Sequence, residues 1–560
     1  MKKEKNQNRS EDMKKKVKQV LAFAAAAAIA AGAAGCGKGK TKVSVVVDDP
    51  NVTAPGQLPV VKNKIELNVG TYSDTNITDY ETNEYTKFLE EKTGIDLKFN
   101  VMVNPEQKLK VMLAADDELP EVLFGMSFDS DMLIKYGNKG AGTFIDLGQY
   151  MDNYGYYFND MLSTTIVEDI EKRLYTTDGG RYYMPTIKEQ TGNMYICKAF
   201  INKKWLDKLG LEIPKTTEDL RAVLKAFTTQ DPNGNGKKDE IGITGCYTGG
   251  WNTVPWHFLL NSFIYDDIYN AMTVEGGKVK SIYYDDAFRK GLEYINSLYK
   301  EGLYDENAFT QDAAALKILA QEDDARAGVI VAADIDSYFS GKPERMLDYV
   351  ALPPLEGPDG VAYAVKGDIG PATGGVMTKY CKNQLAAFRL MDFMLSEEAS
   401  IFSRYGVEGK DWKWAGEGDK CLFESIGAKA KIVSILPYGS VQNSNWQERN
   451  VCFRKAEISD GMAWSGNKYD GEKFKADALS AYYGKEYKNR LTLTQYTEEE
   501  QEERAFLTSD IKQHVDQEIP KFILGRRSLS EYPQFLKELD GLNFARYLEI
   551  TQSGYDRANK

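Results

Sequence analysis

Between Ile65 and Phe124 the apolar pattern changes period repeatedly, and that alternation constrains the fold more than any other stretch. Ile65-Glu-Leu-Asn-Val repeats every second residue, the period of a half-buried strand. Asn83–Thr93 reads as a helix closed by Gly94, and Ile95-Asp-Leu-Lys-Phe as a second strand. Pro105–Ala115 reads as a second helix and Glu121–Phe124 as a third strand. Strands separated by helices pair mostly in parallel, because each helix carries the chain back over the sheet. Ligands of such sheets gather beyond the carboxyl ends of the strands. Those ends place Tyr72 and Asp74 after the first strand, and Ser127 and Phe128 after the third.

A second stretch carries its own chemistry. Asp231-Pro-Asn-Gly-Asn-Gly-Lys-Lys-Asp-Glu sets oxygen side chains at alternate positions: Asp231, Asn233 and Asn235. Gly236 follows, where a loop wrapping an ion turns sharply and a Cβ would clash. The Lys237 carbonyl and the carboxylates of Asp239 and Glu240 complete a set of hard oxygens of the kind Ca²⁺ takes. The EF-hand's closing Glu is replaced by Gly242, so the ring must close early, at Asp239 or Glu240. The competing reading is a metal-free, Asx-rich turn. The loop interrupts a helical pattern (Thr217–Phe227), and an ion here would be structural. Structural calcium suits an extracytoplasmic protein, where the free ion is plentiful.

The N-terminus agrees with export. Lys14, Lys15, Lys16 and Lys18 precede an apolar run, Val20–Ala31, too short to span a bilayer as a helix. Ala33-Ala-Gly-Cys36 then resembles a bacterial lipobox, although Ala33 stands where Leu is usual. Residues 1–35 are therefore expected to be a signal peptide and Cys36 the lipidated mature N-terminus. Ordinary signal-peptidase cleavage is the alternative. Residues 36–64, with Pro50, Pro55 and Pro59, read as a flexible tether. Residues 1–35 carry a net +5, so subtracting them from the whole chain's −13 leaves −18. A surface that acidic argues against nucleic acid as a partner. Apart from Cys36 the cysteines number five, with no metal or redox spacing among them.

At 560 residues the chain is too long for one core. It has two His, His257 and His514, and no nucleophile elbow, zinc motif or P-loop. An enzyme is therefore not expected. A glycoside hydrolase is the alternative, since it needs only two carboxylates, but the strand–helix rhythm does not sustain eight units.

Several further motifs together carry a family resemblance. They are the stretch Asn104–Gly125, Tyr183-Met-Pro-Thr, Lys204-Trp-Leu-Asp-Lys-Leu-Gly-Leu and Pro214-Lys-Thr-Thr-Glu-Asp-Leu. After the acidic loop come Tyr405-Gly-Val-Glu-Gly-Lys-Asp-Trp and Lys521-Phe-Ile-Leu-Gly. In this order they resemble the extracellular solute-binding lipoproteins of carbohydrate ABC importers, in particular the large calcium-carrying type that includes alginate-oligosaccharide binders. The resemblance covers nearly the whole mature chain. It implies an α/β, two-lobed, periplasmic-binding-protein-like clamshell with three interlobe crossings. These are expected near Met184–Gln190, Asp323–Gly328 and Pro371–Met377. Lobe 1 would then hold residues 65–186 and 328–372, and lobe 2 residues 187–327 and 373–560. The protein would be a monomer on the outer face of the cell membrane. It would capture a sugar or oligosaccharide and pass it to the importer's permease subunits.

A sugar offers hydroxyls on its edge and C–H patches on its faces, so its site combines flat aromatics with carboxylates and amides. Trp251 and Trp256, on the Gly-rich stretch Gly249–Trp256, are the leading aromatic candidates. Trp412, Trp414 and Trp446 follow. Asp334 and Asp336 come after an apolar strand and suit hydroxyls, with helix capping as the alternative. Glu189 and Gln190 lie at the first expected crossing. The acidic surface mildly favours a neutral ligand.

Overall fold

The computed structural model describes residues 48–559, apart from Lys139. The expected signal peptide, Cys36 and the start of the expected tether lie outside the described residues. Two mixed sheets, each with its own hydrophobic core, make two lobes.

The chain opens in lobe 1 with β1 (Ile65–Tyr72), β2 (Ile95–Met102), β3 (Val122–Phe124) and β4 (Tyr183–Lys188). The first helix, Glu84–Thr93, starts where the Asn83 side chain accepts the Tyr85 N–H. It stops at Gly94, whose φ of 76° is the left-handed cap a side chain disfavours. This cap turns the chain directly into β2, which pairs in parallel with β1 from Ile65 opposite Ile95 onward.

Lobe 2 then takes β5 (Tyr195–Asn202), β6 (Ile241–Thr244) and the hairpin β7 (Met272–Glu275) with β8 (Lys278–Ser281). It continues through β9 (Ala327–Ala332), β10 (Tyr349–Leu352) and β11 (Val365–Lys366). The chain returns to lobe 1 for β12 (Ala372–Met377), the small hairpin β13 (Trp412–Trp414) with β14 (Ile432–Ser434), and β15 (Cys452–Arg454). A final set of helices, from Gly471 to Ala558, packs on lobe 2. The first sheet runs β15-β4-β12-β3-β1-β2 and the second β10-β5-β9-β6 with β11 on β5.

This order corrects three expectations. The apolar run Ala327–Ala332 does not return to lobe 1: it pairs antiparallel with β5 and parallel with β6, inside the second sheet. There is thus no crossing at 323–328, and the segment 328–366 belongs to lobe 2. β12 and β15 belong to lobe 1, where β12 joins β3 and β4 and β15 joins β4, while the segment between β13 and β14 also sends Cys421 and Phe423 into the lobe 2 core. The chain changes lobe between β4 and β5, between β11 and β12, and after β15. The tether, expected to run to Lys64, is already packed before that point. Val60 and Val61 are buried in the lobe 1 core, Val52 bridges Val61, and Arg389 donates to the Thr53 carbonyl at 2.9 Å. Two adjacent valines on an otherwise polar stretch are enough to seat it.

All five described cysteines are free and buried. No described helix is long and apolar enough to cross a membrane.

Candidate functional site

The site is built where the strand ends of the two sheets meet the crossings. On lobe 1, Tyr72 and Asp74 lie at the carboxyl end of β1, as the strand pattern implies. The Asp74 carboxylate accepts the Arg449 Nε–H at 3.1 Å, and the Arg449 guanidinium lies 5.7 Å from the Tyr72 ring centre. Gly125, at the end of β3 with φ 68°, lets that chain approach: a Cβ there would lie 2.6 Å from the Arg449 carbonyl oxygen. Ser127 is exposed beside it. Phe128 is not: it is buried edge-on against Phe144. Nearby, Arg404 lies 4.2 Å over the exposed ring of Tyr438.

Behind these groups lies a buried knot of charge. Glu448 sits with Arg454 at 2.7 Å, Lys188 at 3.5 Å and Arg404 at 3.9 Å. Burial alone would push its carboxyl up, but the three cations hold it below the ordinary glutamate range.

Lobe 2 contributes the complementary arrangement. Lys475 lies 3.3 Å from Glu472 and 3.8 Å from Asp334. Burial opposes its charge, and Glu472, Asp334 and Asp336 together raise it above the ordinary lysine range. Glu472 is held below its usual range against burial by Lys475, Arg404 and Arg454. Beneath it the Lys198 ammonium, fully buried and bonded to the Tyr195 carbonyl, is pushed down to about 8 by burial. Asp336 is exposed at the start of a short helix.

Trp251 hangs beside Asp334, because its carbonyl accepts the Ala333 N–H at the end of β9. Its side chain is 45% exposed, whereas Trp256, five residues on, is 8% exposed. Trp256, in the first turn of the short helix Pro255–Leu260, stacks on His257 at 3.7 Å and belongs to the lobe 2 core.

Three other expected contacts are structural. Trp446 fills the lobe 1 core among Tyr80, Tyr85 and Phe99, and donates its indole N–H to Thr86 at 3.0 Å. Trp412 is buried with its N–H on the Gly406 carbonyl, while its neighbour Trp414 stays exposed. Glu189 is spent inside the protein. It accepts from Thr165 and Ile166 with one oxygen and from Ala456 with the other, tying the first crossing to the third. Gln190 is buried too, but it spans the crossing: its amide donates to Glu472 at 2.9 Å. The sequence reading missed Glu448, Arg449, Arg454, Glu472 and Lys475. The signal was present in Glu448-Arg-Asn-Val-Cys-Phe-Arg454, where charges flank an apolar strand too short to expose them all.

The acidic loop, far along lobe 2, has a defined geometry. The Asp231 carboxylate accepts the N–H groups of Gly234, Asn235 and Gly236, and the Asn235 side chain accepts that of Lys237. The Asn233 and Asn235 amides both turn to Asp239. Glu240 Oε1 is buried with no partner, and burial, then Asp231 and Asp239, push that carboxyl up. Among the described residues no three His, Cys, Asp or Glu side chains form a metal group by themselves. An ion here would depend on the amide and carbonyl oxygens as well. A buried carboxylate oxygen without a partner within such a loop is a suitable ligand for a hard cation such as Ca²⁺.

The comparisons with known proteins agree with this architecture. The model of the bacterial extracellular solute-binding protein family matches residues 74–401. The fructooligosaccharide ABC transporter substrate-binding protein FusA of Streptococcus pneumoniae is 27% identical over 499 residues, covering 84% of this chain and 87% of that one. The lipoprotein LipO of Bacillus subtilis is 28% identical over 340 residues, 58% of this chain and 63% of its own. Among solved structures, FusA with kestose matches with a TM-score of 0.69 at 24% identity, covering 89% of this chain and 100% of that one. An EF-hand mutant of FusA with fructo-nystose matches equally well.

Proposed function

The chain belongs to the bacterial extracellular solute-binding protein family, and from that premise we propose that it captures an oligosaccharide outside the cell and delivers it to an ABC importer permease. It is a binding protein rather than an enzyme, like its ABC-transporter relatives. The observation that carries the reading is the exposed Trp251, hydrogen-bonded next to Asp334, with the Asp334–Lys475 pair on lobe 2 and the Tyr72, Asp74 and Arg449 group on lobe 1. A sugar ring stacks on the indole, and its hydroxyls exchange water for the carboxylate and ammonium. Closure is driven by contacts that exist only when both lobes touch the ligand. Gln190 and Glu472 sit at the pivot of that motion. Fructo-oligosaccharides are the first ligands to test, since the similar protein FusA, which matches 84% of this chain, is a fructooligosaccharide ABC transporter substrate-binding protein. Calorimetric titration with kestose and nystose, followed by a wider glycan panel, should show saturable binding without turnover. Absence of binding across the panel, or hydrolysis during titration, overturns the reading.

Two attributes complete the proposal. The protein acts as a monomer held to the membrane by lipid on Cys36; Cys36→Ser should release it into the medium, and retention in the membrane fraction rejects the anchor. The loop Asp231–Glu240 holds structural Ca²⁺ through Asp231, Asn233, Asn235, the Lys237 carbonyl, Asp239 and Glu240. It is supported by the unpartnered Glu240 oxygen and by the existence of an EF-hand in FusA. An ion bound only by the native state at a hundredfold excess over Kd stabilises by roughly 2.7 kcal/mol. Chelator should therefore lower the melting temperature, and Asp231→Ala should remove that response.

A further inference from the structure

Lobe 2 carries a second concave feature that the transport reading does not use. Two cavities, of about 470 and 560 Å³, meet at Val361 and Tyr363. Neither shares a residue with the Trp251–Asp334 cluster. The first has an apolar floor of Phe263, Ile264, Val279 and Leu548 and a polar rim that includes Thr273, Glu275 and Asp285. Its walls are tyrosines. Tyr487 lies on the buried Tyr265 at 4.8 Å and 18°, and Tyr363 stands at 68° to Tyr487 with centres 4.9 Å apart. Tyr284, 43% exposed, lines the same cavity.

The walls are pre-set. Tyr363 is fixed by its N–H on the Asn261 carbonyl, and the next residue by the Lys485 carbonyl. The strand-like stretch carrying Tyr487 is tied on its far side by Val274 N–H to Asn489. The preceding loop is pinned through Glu356 to Lys215 and Thr217. Half-exposed aromatic rings held this firmly lose little freedom on binding. Among the described residues no hydrogen bond occupies the Tyr363 or Tyr487 hydroxyl. Flat apolar faces beside the open Tyr363 and Tyr487 hydroxyls, with Glu275 paired to Lys280 and Asp285 capping Ala287 at the rim, match the two-sided chemistry of a sugar ring. The second cavity extends the first past Pro353, Pro354 and Glu486, so the two together form a groove suited to a chain of residues rather than one ring.

We propose that this outer face of lobe 2 is a second glycan site, which holds a neutral polysaccharide chain apart from the transport cleft. The inference rests on the reading of the protein as a glycan binder, and its test separates the two. The full chain is run on native gels containing soluble inulin, dextran or arabinogalactan. Wild type should be retarded by at least one polymer. Tyr363→Ala/Tyr487→Ala should weaken that retardation about tenfold, the equivalent of ~1.4 kcal/mol. Trp251→Ala should keep it while losing oligosaccharide binding in calorimetry. The exposed Tyr284→Ala should also weaken retardation, and it decides the matter if the double variant melts early. Tyr487→Phe, which keeps the ring, should retain most of it. No retardation by any polymer overturns the proposal, as does retardation that survives the tyrosine variants or is lost with Trp251. The transport reading stands or falls separately, on the oligosaccharide titration.

Discussion

In lobe 1 a lone carboxylate lies among three cations, and in lobe 2 a lone ammonium lies among three carboxylates. Glu448 and Lys475 are the two centres, and their surroundings are inverted copies in charge. They differ in water. The Glu448 side chain is 2% exposed and only its Lys188 partner reaches water, while Lys475 is 12% and its partners Glu472 and Asp334 19% and 23% exposed. A dry knot has fixed partners and cannot trade them for a ligand's hydroxyls. A wet knot already exchanges with water, and a sugar can take the water's place. The comparison therefore fits stability to the first and the proposed sugar recognition to the second.

The largest effect should come from emptying the dry knot. Glu448→Gln leaves Arg454, Arg404 and Lys188 facing one another without their counter-charge, and breaking a buried pair in this way costs about 3–5 kcal/mol. Denaturant unfolding of the variant reads that loss; a change near zero would mean that Glu472 alone balances the cations. Acid approaches the same interactions from another side. Glu448 and Glu472 both titrate below the ordinary glutamate range in the folded protein. Their stabilisation is complete above the unfolded value, about 4.3, and is lost as pH falls through the lower folded values. Melting temperature should thus drop below about pH 4.5, and less steeply in Glu448→Gln. A wild-type curve flat to pH 3 would contradict the knot.

Lys475→Met should be milder for folding, about 1–3 kcal/mol, because water already reaches the carboxylates it leaves behind. It should also weaken sugar binding, which Glu448→Gln at a temperature where it remains folded should not. Reversal of that pattern would exchange the two roles. The smallest effect on stability belongs to Trp251→Ala: almost none without ligand, yet at least about tenfold in affinity, roughly 1.4 kcal/mol. Unchanged affinity with a large loss of stability would move Trp251 into the core beside Trp256.

What the sequence disclosed follows the range of the interactions involved. The strand–helix rhythm from Ile65 to Phe124 and the turns of the Asp231 loop are local, set by periodicity and by residues such as Asn83 and Gly94. The lobe that owns Ala327–Ala332 is not local. An apolar strand buried on both faces looks the same in either sheet, and only its pairing with β5 and β6 decides. The tryptophans make the same point. Trp251 and Trp256 share one loop-like stretch, but Pro255 starts a helix that turns the second inward. Trp446 lies in a polar sequence and is buried because lobe 1 closes around it from four other segments. The charge knots draw on residues more than a hundred positions apart, Lys188 with Glu448 and Asp334 with Lys475, so no window of sequence contains either one.

The packed strap at Val52–Val61 has a mechanical meaning. Its valines and the Arg389 bond to Thr53 fasten it to lobe 1. A pull on the chain from Asp48 is therefore borne by lobe 1, as a load on a foundation. None of it passes along the three strands of chain that join the lobes. Under the proposed Cys36 anchor, tension at the membrane would load lobe 1 and leave the proposed closure of lobe 2 unloaded.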